Sequence, residues 1–147
     1  LRDPVARAWS HWRMEYARSA ETQPFGWCIR EGRQRLFAAT PWGHHREFSY
    51  VERGFYGEQV ERVLELFPRG QLLVLKSEDL RADPAPALAA VRSFLGLPPR
   101  PAPRPREVHV GAESDFPSEL TPQDEAHLRE VYAPDLARLE ALCGVRF

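Results

Sequence analysis

Apolar residues recur along the chain at helical spacing. Val5, Ala8, Trp9, Trp12 and Tyr16 stand three and four apart and give residues 3 to about 19 one broad apolar face, with Ser10 and Arg13 off it. Val60, Val63, Leu64 and Phe67 predict a second helix after Tyr56, ending before Pro68-Arg69-Gly70. Leu88, Val91, Phe94 and Leu95 predict the buried face of a third, started by Asp83-Pro84 and stopped by Gly96. Leu128, Val131, Tyr132, Leu136, Leu139 and Leu142 stripe a last helix that starts at Thr121-Pro122, with Asp124 or Glu125 near its beginning. Pro134 is expected to break or kink it.

Two stretches depart from this period. Leu72 to Leu75 is a short continuous apolar run beside turn signals, which predicts a strand buried on both faces and hence a parallel sheet. Glu21 to Phe48 is poorly periodic, broken by Gly26, Gly32, Pro41 and Gly43, and rich in aromatics and arginines. Part of it is expected to be helical, and a loop this long in a small domain is more often functional than idle. Residues 98 to 106 are too rich in Pro and Arg for regular structure. One predicted strand between helices is too little sheet for an α/β sandwich. The chain therefore reads as the C-terminal, helix-rich portion of a larger domain, with Leu1 as the last residue of a further strand.

A length of 147 residues allows one small domain with a modest core. The formal net charge of −1 gives no overall basic field and argues against a nucleic-acid partner. Lys76 is the only lysine beside many arginines, a skew that suggests a GC-rich bacterial genome. Cys28 and Cys143 make no disulfide framework, so two free thiols in a reducing compartment are expected. No apolar run approaches the roughly 18 residues that span a membrane.

The candidate chemistry starts at the first helix. Asp3 accepts bonds from free N–H groups and Pro4 suits the first helical position, with Arg2 just before them and Ser10 eight residues after Arg2. An arginine and a hydroxyl at one helix beginning suit a phosphate monoester. Arg-Asp-Pro-x-x-Arg-Ala-x-Ser resembles the 3′-phosphate-binding segment of sulfotransferases that use PAPS (3′-phosphoadenosine 5′-phosphosulfate). The order that follows is similar to the C-terminal half of bacterial and carbohydrate-type members: Gly54-Phe55-Tyr56, Leu66-Phe67-Pro68, Gln71 to Leu75, Glu78-Asp79-Leu80, Asp83-Pro84 and Val91 to Leu97. The likeness runs from Leu1 to about Leu97 and weakens beyond.

The resemblance implies a P-loop-type three-layer α/β sandwich around a parallel sheet, with the phosphosulfate loop and the catalytic residues before Leu1. It implies PAPS as co-substrate, PAP (3′-phosphoadenosine 5′-phosphate) as product, no metal, and a carbohydrate or small metabolite offering a hydroxyl or amine as acceptor. Arg2 and Ser10 would hold the 3′-phosphate. Ser77 stands where some members carry a tyrosine against adenine. Arg106 and His109 fall where a basic loop closes over the nucleotide, although Val108-His109-Val110-Gly111 lacks the family's Lys-Gly-Arg form. A cut sheet edge predicts poor solubility or association as a homodimer when this portion is expressed alone. A bacterial cytoplasm is the expected compartment; a Golgi lumen stays compatible, because any leader would precede Leu1.

Other candidates read differently. Arg7 is expected to brace the first helix, and His11 to be partly buried and hydrogen-bonded. Glu78 and Asp79, placed at a strand end, point apart and are expected to bond nearby backbone or arginines. His44-His45 lacks zinc spacing. Tyr50, Glu52 and Tyr56 lie where the family shapes its acceptor pocket, with Tyr56 packed at a helix start. Two rival functions stay open. A non-catalytic remnant would keep the fold and lack the chemistry. A nucleotide kinase of related fold is disfavoured, because Arg2 and Ser10 suit a 3′-phosphate that ATP lacks.

Overall fold

A computed structural model describes residues 1–39, 45–103 and 116–147. The chain forms α1 (Pro4–Ala17), α2 (Phe25–Cys28), α3 (Arg35–Ala39), α4 (Tyr56–Leu66), α5 (Ser77–Ala82), α6 (Pro84–Phe94) and α7 (Pro122–Cys143), with 3₁₀ turns at Glu31–Gln34, Glu52–Gly54 and Arg69–Gln71. Asp3 caps α1, its side chain accepting from the Ala6 N–H, and Pro4 opens the helix. Asp83 and Pro84 repeat the device at α6. Thr121 and Asp124 close a reciprocal capping box at α7, and Gly144 ends that helix with a positive φ of 73°.

α7 is the pillar of the fold. Its first half packs Leu128 and Tyr132 into a core with Val5, Ala8 and Trp12 of α1, Phe25 and Cys28 of α2, and Ile29, Tyr50 and Val51. On α1, Trp12 stacks on Trp9 at 5.0 Å and on Tyr16 at 5.2 Å, so the predicted apolar stripe is an aromatic column. The second half of α7 sets Leu139 against Tyr56 and Val60 of α4. Asp135 joins the two helices by accepting the Gly57 and Glu58 N–H groups at 2.7 and 2.9 Å, which caps α4 from 77 and 78 residues away. Glycine is required at both ends of this contact. A Cβ on Gly54 would meet the Tyr132 ring at 2.6 Å, and one on Gly57 would collide with the Asp135 carbonyl.

The structure corrects several sequence expectations. Among the described residues no strand forms, and Leu72–Leu75 is half-buried to exposed instead of buried on both faces, with Leu73 36 % accessible. The run is nevertheless extended at Leu72, and Leu1 bonds across it. The Leu1 nitrogen donates to the Leu75 carbonyl and the Ser77 N–H donates to the Leu1 carbonyl, each at 2.6 Å. That is the bonding pattern of a parallel pair, one residue long. Glu78 and Asp79 lie in the first turn of α5, not at a strand end. On α6 the buried residue is Ala87, while Phe94 and Leu95 are exposed. α7 runs through Pro134 without a break. Leu128 and Tyr132 before it and Asp135 and Leu139 after it are all anchored, and this packing outweighs the one lost backbone bond.

Candidate functional site

The beginning of α1 is tied to the beginning of α5. Ser77 bonds the Leu1 carbonyl through its N–H, and the next residue, Glu78, accepts the Asp3 N–H on Oε1 at 3.0 Å. Asp3 is also paired to Arg129 of α7 at 3.3 Å. Arg2 lies between these bonds. It is half-buried, forms no ion pair among the described residues, and its buried Nε has no hydrogen-bond partner. The Ser77 hydroxyl is also buried, beside the Glu78 carboxylate. The fold thus brings Arg2 and Ser77 together from 75 positions apart. Ser10 projects from α1 and is exposed. Arg106 and His109 lie outside the described residues, as does His44.

Burial and nearby bonds shift the titrating groups around this helix start. Partial burial works against the Glu78 carboxylate, but the Asp3 N–H and its own N–H favour it and hold its pKa below the ordinary value. The Tyr56 phenol is buried; burial pushes its pKa up, while Arg7 and the Arg2 backbone beside it pull the other way. Tyr56 is therefore a packed phenol next to Arg2. Arg7 donates through Nη2 to the Tyr50 carbonyl, and Tyr132 donates to the Val51 carbonyl at 2.9 Å. Both bonds fasten α1 and α7 to the loop at residues 50 and 51, so Arg7 braces the helix. His11 is buried, with Nε2 3.1 Å from the Arg46 carbonyl. Burial first, then Arg7, lower its pKa to about 4, so it is neutral at neutral pH.

A second buried polar cluster holds the aromatic-rich segment in place. Glu21 accepts from Arg35 at 2.7 Å, from the Tyr50 hydroxyl at 3.0 Å and from the Thr22 and Gln23 N–H groups. Burial alone would raise the Glu21 pKa, but these bonds bring it to about 2. Cys28 donates to the same carboxylate at 3.3 Å, and burial with that negative charge pushes its thiol up to about 12. Cys28 is thus an inert free thiol. Cys143 is free as well. No short-range pattern announces the Asp135 cap, the Glu78 bond or the Tyr50 end of the Glu21 cluster, because each joins residues far apart in the chain.

A groove of about 690 Å³ lies among Val74, Lys76, Asp79, Ala87, Ala90 and Val145; Arg2, Ser10 and Ser77 do not line it. Among the described residues, no group of three or more His, Cys, Asp or Glu is placed to hold a metal ion, and no helix is long and apolar enough to cross a membrane.

An arginine without an acidic partner, ahead of a capped helix start, suits an anion such as a phosphate. The chain belongs to the sulfotransferase family: the family's model, "Sulfotransferase domain", matches residues 1–111. It is 33 % identical over 97 residues to mouse heparan sulfate glucosamine 3-O-sulfotransferase 3B1, a match covering 66 % of this chain and 23 % of that protein. It is 37 % identical over 46 residues to human bifunctional heparan sulfate N-deacetylase/N-sulfotransferase 2, covering 31 % and 5 %. The crystal structure of a sulfotransferase from Alicyclobacillus acidocaldarius superposes with a TM-score of 0.72 at 29 % identity, over 100 % of this chain and 53 % of that one. The chain spans under a quarter of the mouse relative's length and about half of the bacterial structure.

Proposed function

We propose that this chain carries the 3′-phosphate side of the nucleotide site in a PAPS-dependent sulfotransferase. Arg2 is the bidentate partner of the 3′-phosphate, and Ser10 adds a hydroxyl bond. The observation that carries the reading is Arg2 itself, a guanidinium with a buried, unpartnered Nε held directly before the Asp3 cap. Ser77 stands nearby for the adenine side.

The whole protein would move a sulfuryl group from PAPS to an acceptor hydroxyl or amine. The bond between sulfur and the bridging phosphate oxygen breaks, a bond to the acceptor forms, and a base takes the acceptor proton. The phosphosulfate loop, the catalytic base and the remaining sheet of a three-layer α/β sandwich belong to a part of such a domain not represented here. The relatives named above work on heparan sulfate by their names, which favours a carbohydrate acceptor. A bacterial cytoplasm remains the proposed compartment.

Calorimetric titration with PAP and with adenosine 5′-phosphate tests the reading. PAP binds more tightly to the wild type. Arg2→Ala weakens PAP by roughly 10- to 100-fold, the worth of one charge-assisted bidentate contact, and leaves adenosine 5′-phosphate unchanged. Equal losses on both ligands would remove Arg2 from the 3′-phosphate.

A further inference from the structure

We infer that Glu78 is a positioning residue that fixes Arg2 for the 3′-phosphate, an assignment that rests on the nucleotide reading above. A peptide group flanks Arg2 on each side, and each is held by one bond from consecutive residues of the Ser77-Glu78 pair. The Ser77 N–H takes the carbonyl of the preceding peptide at 2.6 Å. Glu78 Oε1 takes the N–H of the following peptide at 3.0 Å. The two soft torsions of Arg2 lie between these two planes, so the bonds together set the direction of its side chain. Ser77 holds the Leu1 carbonyl through its backbone N–H, which substitution does not remove. Glu78 contributes a carboxylate, and it is the half of the clamp that chemistry can alter.

The carboxylate also completes a cap. In an ordinary capping box the acceptor for the N-cap N–H stands three residues later in the same helix. In α1 that position is Ala6, which has no acceptor side chain, and Glu78 supplies one from 75 residues away. With Asp3 taking the Ala6 N–H at 2.9 Å, both halves of the box are present and the second comes from α5. A nucleotide pocket needs a rigid anion-binding arginine, and this device supplies rigidity at the residue that cannot supply it locally.

The test separates positioning from plain stability. In the whole protein, PAP and adenosine 5′-phosphate are titrated into wild type, Glu78→Ala and Glu78→Gln, and each variant is melted. Glu78→Ala weakens PAP by about tenfold, the worth of one lost hydrogen bond in the clamp, with adenosine 5′-phosphate unchanged. Glu78→Gln keeps an acceptor at the same reach and restores PAP affinity to within about twofold of wild type, because the bond from Asp3 N–H survives. Should Glu78→Ala fail to fold, Glu78→Asp, one methylene short of Asp3, gives the same selective loss. Parallel losses on both nucleotides, or no loss on either while the wild type prefers PAP, overturn the clamp alone. A wild type without preference for PAP overturns the nucleotide reading, and the clamp with it.

Discussion

Two helices of this chain begin with the same dipeptide, and their beginnings have different fates. Asp3-Pro4 and Asp83-Pro84 both cap locally, through Asp Oδ1 bonds to Ala6 and Ala85 at 2.9 and 3.0 Å. At α6 the matter ends there: Asp83 is exposed, and so are Phe94 and Leu95 farther along the helix. At α1 the cap is enclosed. Asp3 also meets Glu78 and Arg129, and the helix behind it buries Val5, Ala8 and Trp12. The same local signal therefore makes a plain helix start in one place and a start fixed by long-range bonds in the other. What differs is the set of long-range partners, and a site needs those.

The comparison breaks most visibly in the core. Leu128→Ala, beneath α1 with no accessible surface, should cost about 3–4 kcal/mol, whereas Leu88→Ala on half-buried α6 should cost about 1 kcal/mol. Urea unfolding measures both, and equal losses would erase the distinction between the two regions.

Acid should act next, and on the α1 side. The His11 pKa falls from 6.5 to about 4 on folding, so the folded state binds fewer protons than the unfolded chain between those values. Its contribution, at most about 3 kcal/mol, is complete above pH 6.5 and lost as pH falls toward 4. Glu21, lowered from 4.5 to about 2, extends the loss to lower pH with the same sign. A pH series of melting temperatures checks this; replacing His11 by Gln should flatten the upper part of the curve.

The caps themselves give a smaller contrast. Asp3→Ala should cost about 2 kcal/mol, through the cap and the Arg129 pair together, and Asp83→Ala no more than about 1 kcal/mol. At the bottom of the scale, Glu58→Ala removes an exposed pair with Arg62 and should change stability by less than about 0.5 kcal/mol. Thermal melts of these variants, ranked, form one ladder, and its order is the prediction.

Much of the fold was legible in the chain. The helices opened by Asp3-Pro4, Tyr56, Asp83-Pro84 and Thr121-Pro122 all form, because cap residues and apolar spacing are local quantities. The Leu72–Leu75 run misled in part: an apolar run reports what a segment would bury, while its burial depends on what lies beside it. Phe94 and Leu95 misled for the same reason. Pro134 misled because a helix held on both sides of a proline tolerates one missing bond.

For the site, the sequence determined the residue types. Arg2, Asp3, Pro4 and Ser10 follow one another in the order on which the phosphate proposal rests, and a linear pattern carries that much because one helix start is built from neighbours. The tertiary structure alone decided which of those residues is held. Glu78 reaches Asp3, Ser77 meets Leu1, Asp135 caps α4 and Glu21 gathers Arg35, Tyr50 and Cys28. Each of these bonds closes a long loop, and its partner is chosen by the packing of α1, α4 and α7 and not by spacing in the chain. A hydrogen bond depends on position in space to within tenths of an ångström, and that position exists only once the core has formed.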